Sequence, residues 1–236
     1  MQKFDKENFN KFNKHFSVKN NYSDIEKNYI KKTEKYLKYI NFLPGIRLVA
    51  IVNSLSMKAA NKDSDIDLFI VTTPNSMWLN RILITLFFAI LGQRKTKNKH
   101  AGKFCLSFFI TENNLNLENI AIKNDIYLYF WIVYLKPIIS NNNIYNKFIE
   151  ENKKWADFSE YKKFIQENKK FIKYSKNKKK TGKIVNFFDK IMKKIFLKKT
   201  LKNYEKLNKP YGIIINDKML KFHNNDIRKE MRDNII

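Results

Sequence analysis

Apolar residues change their spacing several times along the chain, and each change marks an element. Residues 1–21 are polar and rich in Asn and Lys with isolated phenylalanines, which reads as a loosely held, flexible arm. Ser23 and Glu26 then stand at capping-box spacing, and Ile25, Ile30, Leu37 and Ile40 recur near a helical period until Pro44 and Gly45 stop the helix. Leu48 to Val52 (LVAIV) is a short, wholly apolar, largely β-branched run, as expected of a strand covered on both faces. Ser54 to Ala60 leaves room for about two helical turns, Asn61 to Ser64 supplies loop chemistry, and a second strand is expected over Asp65 to Thr72. An apolar helix from about Trp78 to Leu91 follows, then a basic loop (QRKTKNKHAGK) and a third strand near Phe104 to Thr111.

Beyond Asn124 the pattern turns helical. Helices are predicted over Ile126 to Leu135 and Ile144 to Phe158, and then over a long stretch from Tyr161 to Leu207 broken around Lys178 to Lys180. Tyr211 to Ile215 (YGIII) suits one last strand. The expected class is α+β: a small mixed sheet flanked by helices, with a largely helical C-terminal extension. No internal repeat is visible.

Composition narrows the function classes. Hydrophobic residues make up 44% of the 236 and aromatics 15%, enough apolar surface to offset the entropy of folding. The net charge of +25 points towards polyanions, but Lys far outnumbers Arg in a chain crowded with Asn, Ile, Phe and Tyr, the residue set that an AT-rich genome encodes. That charge therefore reads first as solvated surface and second as weak, diffuse polyanion attraction, ahead of base reading, which favours Arg. A single cysteine, Cys105, excludes an internal disulfide and a clustered thiolate site, and fits a reducing, cytoplasmic setting. The longest apolar run, Ile82 to Gly92, falls short of the ~20 residues that span a bilayer, so no transmembrane segment is expected.

The segment that carries chemistry is Asn53 to Val71, NSLSMKAANKDSDIDLFIV. Asp65 and Asp67 lie two apart at the start of a predicted strand, so both carboxylates project from one face while Ile66 and Leu68 point into the core. Forced together, two anions repel; a divalent cation removes that penalty and takes both as oxygen ligands, with Mg2+ the natural candidate. Ser54 stands where a strand ends and a short helix begins, a place where backbone donors and a hydroxyl hold phosphate.

Asn53-Ser54 followed by Asp65-Ile66-Asp67 resembles the signature of the DNA polymerase beta-like nucleotidyltransferase superfamily, a Gly-Ser pair on a short helix and then Asp-x-Asp on the next strand. The run SLSMKAANKDSDIDLFIVT is most similar to the minimal bacterial nucleotidyltransferases, and the resemblance is specific over residues 46–73. It implies a nucleotidyltransferase-like domain over residues 22–135, between the arm at 1–21 and a mainly helical region at 136–236. It further implies that Asn53 and Ser54 bind the triphosphate of an NTP. Asp65 and Asp67 would be catalytic residues and ligands of Mg2+, as one ion or a two-metal pair, and the acceptor would be a small molecule, a protein or RNA.

Two positions depart from that pattern. Asn53 replaces the usual glycine, a mild change because Asn tolerates left-handed backbone. The third strand carries no acidic residue: Ser107 stands about where one is expected, and Glu112 and Asp125 read as a surface carboxylate and a helix cap. A catalytically degenerate relative that binds nucleotide, RNA or a protein is therefore the alternative. His15, His100 and His223 have no metal-ligand spacing, Cys105 reads as core among Phe104, Leu106 and Phe108, and Trp78, Trp131 and Trp155 fall at apolar helical positions. Ile184 to Leu197 is amphipathic and basic; packing on the catalytic domain is its expected use, and an anionic membrane surface is the other one.

Overall fold

The computed structural model describes residues 1–236. Strands β1 (Ile46–Ile51), β2 (Ile66–Thr72), β3 (Phe104–Thr111), β4 (Lys136–Ser140), β5 (Ile213–Ile215) and β6 (Met219–Phe222) form one sheet in the order β4-β1-β2-β3-β6-β5. Only β2 and β3 run parallel. Joining them needs a crossover, which the helix Met77–Ile90 supplies. The expected mixed α+β architecture is what the chain adopts.

Helices cover both faces, numbered along the chain as α1 (Lys6–His15), α2 (Asp24–Ile40), α3 (Asn53–Ser56), α4 (Met77–Ile90), α5 (Ile126–Tyr134), α6 (Ile144–Asn152), α7 (Lys162–Asn168), α8 (Lys183–Lys206) and α9 (Arg228–Ile235). Alternation along β2 divides the core. Ile66, Leu68 and Ile70 face α2 and α4, whereas Phe69 and Val71 face the layer built from α1, α5, α6, α7 and α9. Helix α5 (IYLYFWIVY) is apolar all round and is correspondingly buried all round. The Ser23–Glu26 capping box forms as expected, with Glu26 fully buried and also accepting from the Ala60 N–H at 2.9 Å.

Several expectations need correction. The presumed arm is a packed element: Asp5 caps α1, Phe4 is buried and Phe12 is fully buried against Phe130, which ties the N-terminus to α5. Helix α3 is one turn, not two. The long tract from Tyr161 divides into α7 and α8 around an extended segment whose Tyr174 bridges to Ile139 of β4. Residues 136–140, read as the start of a helical region, form an edge strand, and β6 follows the expected β5. The sheet thus draws strands from both sides of residue 135, so a break there does not separate the C-terminal part from the core.

Candidate active site

Strand β2 brings the two aspartates to one end of the sheet. One oxygen from each of Asp65 and Asp67 and the Sγ of Cys105 lie within 4.8 Å of one another. Cys105 enters because β2 and β3 pair in parallel with Asp67 beside it. A register shift follows directly: Asp67 pairs with Cys105 but Phe69 with Phe108, so β3 carries one extra residue. This bulge turns both Ser107 and Phe108 towards the same layer, the usual effect of a bulge beside a site.

Asn53, the first residue of α3, sits at φ +57°, the left-handed conformation that Asn tolerates and that the substitution for glycine required. Its Oδ1 accepts from Trp131 Nε1 at 2.9 Å and Tyr127 Oη at 3.2 Å, which fixes the side chain on the wall of the cleft that Asp67 also lines. Ser54 is half-buried in the first turn of α3, next to the cleft rather than among its lining residues. Val52 gives α3 no side-chain cap, so the first amides of the turn have no intrahelical acceptor.

Burial, with the neighbouring Asp65 charge adding to it, pushes the Asp67 carboxyl up to about 6 from an ordinary 3.8. Lys95, from the basic loop, places its Nζ 2.5 Å from Asp65 Oδ2, an ion-pair contact that lacks hydrogen-bond alignment. The thiol of Cys105 is pushed far above its ordinary range by burial and by Asp67, so it stays protonated and is a poor ligand for a hard cation. The donor set that fits a divalent cation is therefore Asp65 and Asp67. Their crowding and the raised Asp67 carboxyl are what a bound cation would relieve, and its remaining ligands would come from water or substrate phosphates, as hard-cation sites of this type arrange.

Asp67 lines a cleft of about 290 Å³, near the lower end of the range for small-molecule sites, and Asp65 stands beside Asp67 just outside that lining. Its far wall comes from the C-terminal segment LKFHNNDIR. His223 Nε2 lies 3.0 Å from Ser107 Oγ, and burial beside Lys221 lowers the imidazole to about 4, so it is neutral at physiological pH. Asp226 is the other carboxylate that lines the cleft. Arg228 grips it bidentately at 2.8 and 2.9 Å and Lys221 Nζ lies at 2.9 Å, which together hold it far below the usual carboxylate range. Arg228 also reaches Asp125 at 3.0 Å.

The structure brings together Asn53, Asp65 and Asp67 as the sequence spacing required, and it places neither Glu112 nor Asp125 on the lining of the cleft. Glu112 is bound to the buried Arg47 at 2.8 Å, and Asp125 caps α5 through the Leu128 N–H. Cys105 belongs to the site rather than to the core. Trp131 is buried as expected, yet its indole N–H orients Asn53. Lys95 and His223 were missed because neither stands in a recognisable motif; the basic loop and the isolated LKFHNNDIR run were the only signals. Comparison of the chain with protein families, curated proteins and solved structures finds no match in any of the three, so only the residues and their geometry bear on what the site does.

Proposed function

We propose that this chain is a magnesium-dependent nucleotidyltransferase that moves a nucleoside monophosphate from an NTP to an acceptor, which is a small molecule, a protein or RNA. The observation that carries the reading is the convergence of Asp65 with Asp67, which lines the cleft, on the strand that follows the Asn53-Ser54 turn. In the transfer, a nucleophilic oxygen of the acceptor forms a bond to the α-phosphorus, the bond to the β-phosphate bridging oxygen breaks, and pyrophosphate leaves. Asp65 and Asp67 hold the cation, which when bound supplies charge neutralisation on the phosphate oxygens. Asn53 and Ser54 bind the triphosphate. His223, neutral and facing the cleft, is placed to hydrogen-bond the acceptor, whose proton passes to water, in a strand arrangement that has no third carboxylate on β3.

One observation favours a second reading. The Lys95 ammonium already neutralises Asp65, as it would in a relative that binds nucleotide, RNA or a protein without transfer chemistry. Labelled monophosphate transfer separates the two. NTP with Mg2+ or Mn2+ at about a hundred times its dissociation constant should stabilise the fold by roughly 2.7 kcal/mol under the transfer reading and under the nucleotide-binding form of the second. Metal-dependent transfer to an acceptor in a lysate, lost in the Asp65→Asn, Asp67→Asn double variant, supports catalysis. Nucleotide stabilisation without transfer in the wild type favours the second reading, and no stabilisation by any NTP removes the transfer reading and leaves the second only as RNA or protein binding.

A further inference from the structure

Helix α8 has two apolar faces, and the fold uses only one. Asp189 accepts from the Leu79 N–H of α4 at 2.8 Å, and Met192, Phe196 and Leu197 pack on the core shared by α2 and α4. At 3.6 residues per turn, Ile184, Phe187, Phe188, Ile191 and Ile195 fall on a stripe roughly opposite. That stripe meets water: Ile184 is 74% exposed, Phe187 61%, Phe188 46% and Ile195 56%. Large apolar side chains gathered on one exposed stripe, rather than scattered singly, mark an interaction surface.

The charges around the stripe identify the occupant. Helix α8 carries eight lysines against Asp189 and Glu205, and Asp189 is turned inward. Lys190 and Lys194 border the apolar stripe, and Lys198 and Lys202 continue its line towards the C-terminus, all exposed. An apolar ridge of Phe and Ile edged by lysine is the pattern of a helix lying in the plane of a bilayer interface, with the ridge among the upper acyl chains and the ammonium groups on anionic headgroups. A second copy of this chain fits poorly, because a two-fold contact through the stripe sets one lysine border against the other. Nucleic acid would engage the lysines but leave an aliphatic ridge without a function. We infer that the outer face of α8 docks the protein on an anionic membrane surface, lying on the bilayer; no helix in the chain is long and apolar enough to cross one.

Co-sedimentation of the full-length chain with vesicles tests this directly. The wild type should sediment with vesicles of equal parts phosphatidylglycerol and phosphatidylcholine and stay in solution with pure phosphatidylcholine. Phe187→Glu with Ile195→Glu should weaken partitioning by about ten-fold or more, since both side chains leave the acyl region. These positions face water in the free protein, so circular dichroism and the melting temperature should not change. Lys190→Glu with Lys194→Glu should also release the protein, by removing the headgroup attraction. The inference is overturned if the wild type ignores anionic vesicles, whether or not it binds RNA. Equal vesicle binding by the Phe187/Ile195 variant overturns it too, because diffuse lysine attraction would then suffice. So does a wild-type dimer in sedimentation velocity that this variant dissolves, since a second copy would then be the occupant.

Discussion

Replacing Asp67 by Asn at a site built for a cation should stabilise the metal-free protein, the opposite of what loss of a structural carboxylate does. The Asp67 carboxyl is held at about 6 against an ordinary 3.8 by burial and by Asp65. That gap is worth about 3 kcal/mol against the folded state once the group is ionised. Some solvent reaches Asp67 and Lys95 offsets part of the charge, so a gain of about 1.5 kcal/mol is the working figure, or roughly 5 °C in melting temperature for a chain of this size. The sign follows from the raised value: the penalty is fully present above about pH 6 and disappears as pH falls towards the unfolded value near 4. His223 runs the other way, since its depressed imidazole contributes stability present above its ordinary 6.5 and lost as pH falls through about 4. Only the difference between Asp67→Asn and wild type, taken at each pH, isolates Asp67. Thermal denaturation in chelator at about pH 8 and about pH 4 measures it. The variant should melt higher at the upper pH and level with wild type at the lower. A variant that melts lower than wild type at about pH 8, or a difference that does not shrink on acidification, would refute the charge reasoning.

Two further substitutions test the surroundings of the cleft and the core. Arg228→Met removes the charge partner of buried Asp125 and leaves Asp226 with Lys221 alone, so urea denaturation should show a loss of about 3 to 5 kcal/mol; a loss below about 1 kcal/mol would mean that water already serves these groups. Phe12→Ala empties a fully buried position against Phe130 and should cost about 3 to 5 kcal/mol in the same assay, whereas a loosely held arm would lose almost nothing.

The aspartate pair was legible before any coordinates because alternation along a strand is local: two residues spaced by two share a face wherever the strand goes. The Asn53 turn, the capping box at Ser23 and the strand Phe104–Thr111 were legible for the same reason, each being a property of a few neighbouring residues. Strand β4 was not, since Lys136 and Pro137 interrupt the apolar pattern. Pro137 is tolerated because β4 lies at the sheet edge, and Lys136 because Asn168 and the rings of Tyr134, Phe164 and Phe171 enclose its ammonium. Helix α1 escaped for a related reason, as its few phenylalanines gain their value only from the aromatic layer that α5 presents to them. Cys105, Lys95, His223 and Asp226 lie 38, 28, 156 and 159 positions after Asp67 in the chain. Only the parallel pairing of β2 with β3, the bulge at Ser107 and the return of β6 to the sheet bring them to the same cleft. Side-chain periodicity is written in the order of residues, whereas the company a carboxylate keeps depends on which strands pair, and that is decided by how the whole chain buries its apolar surface.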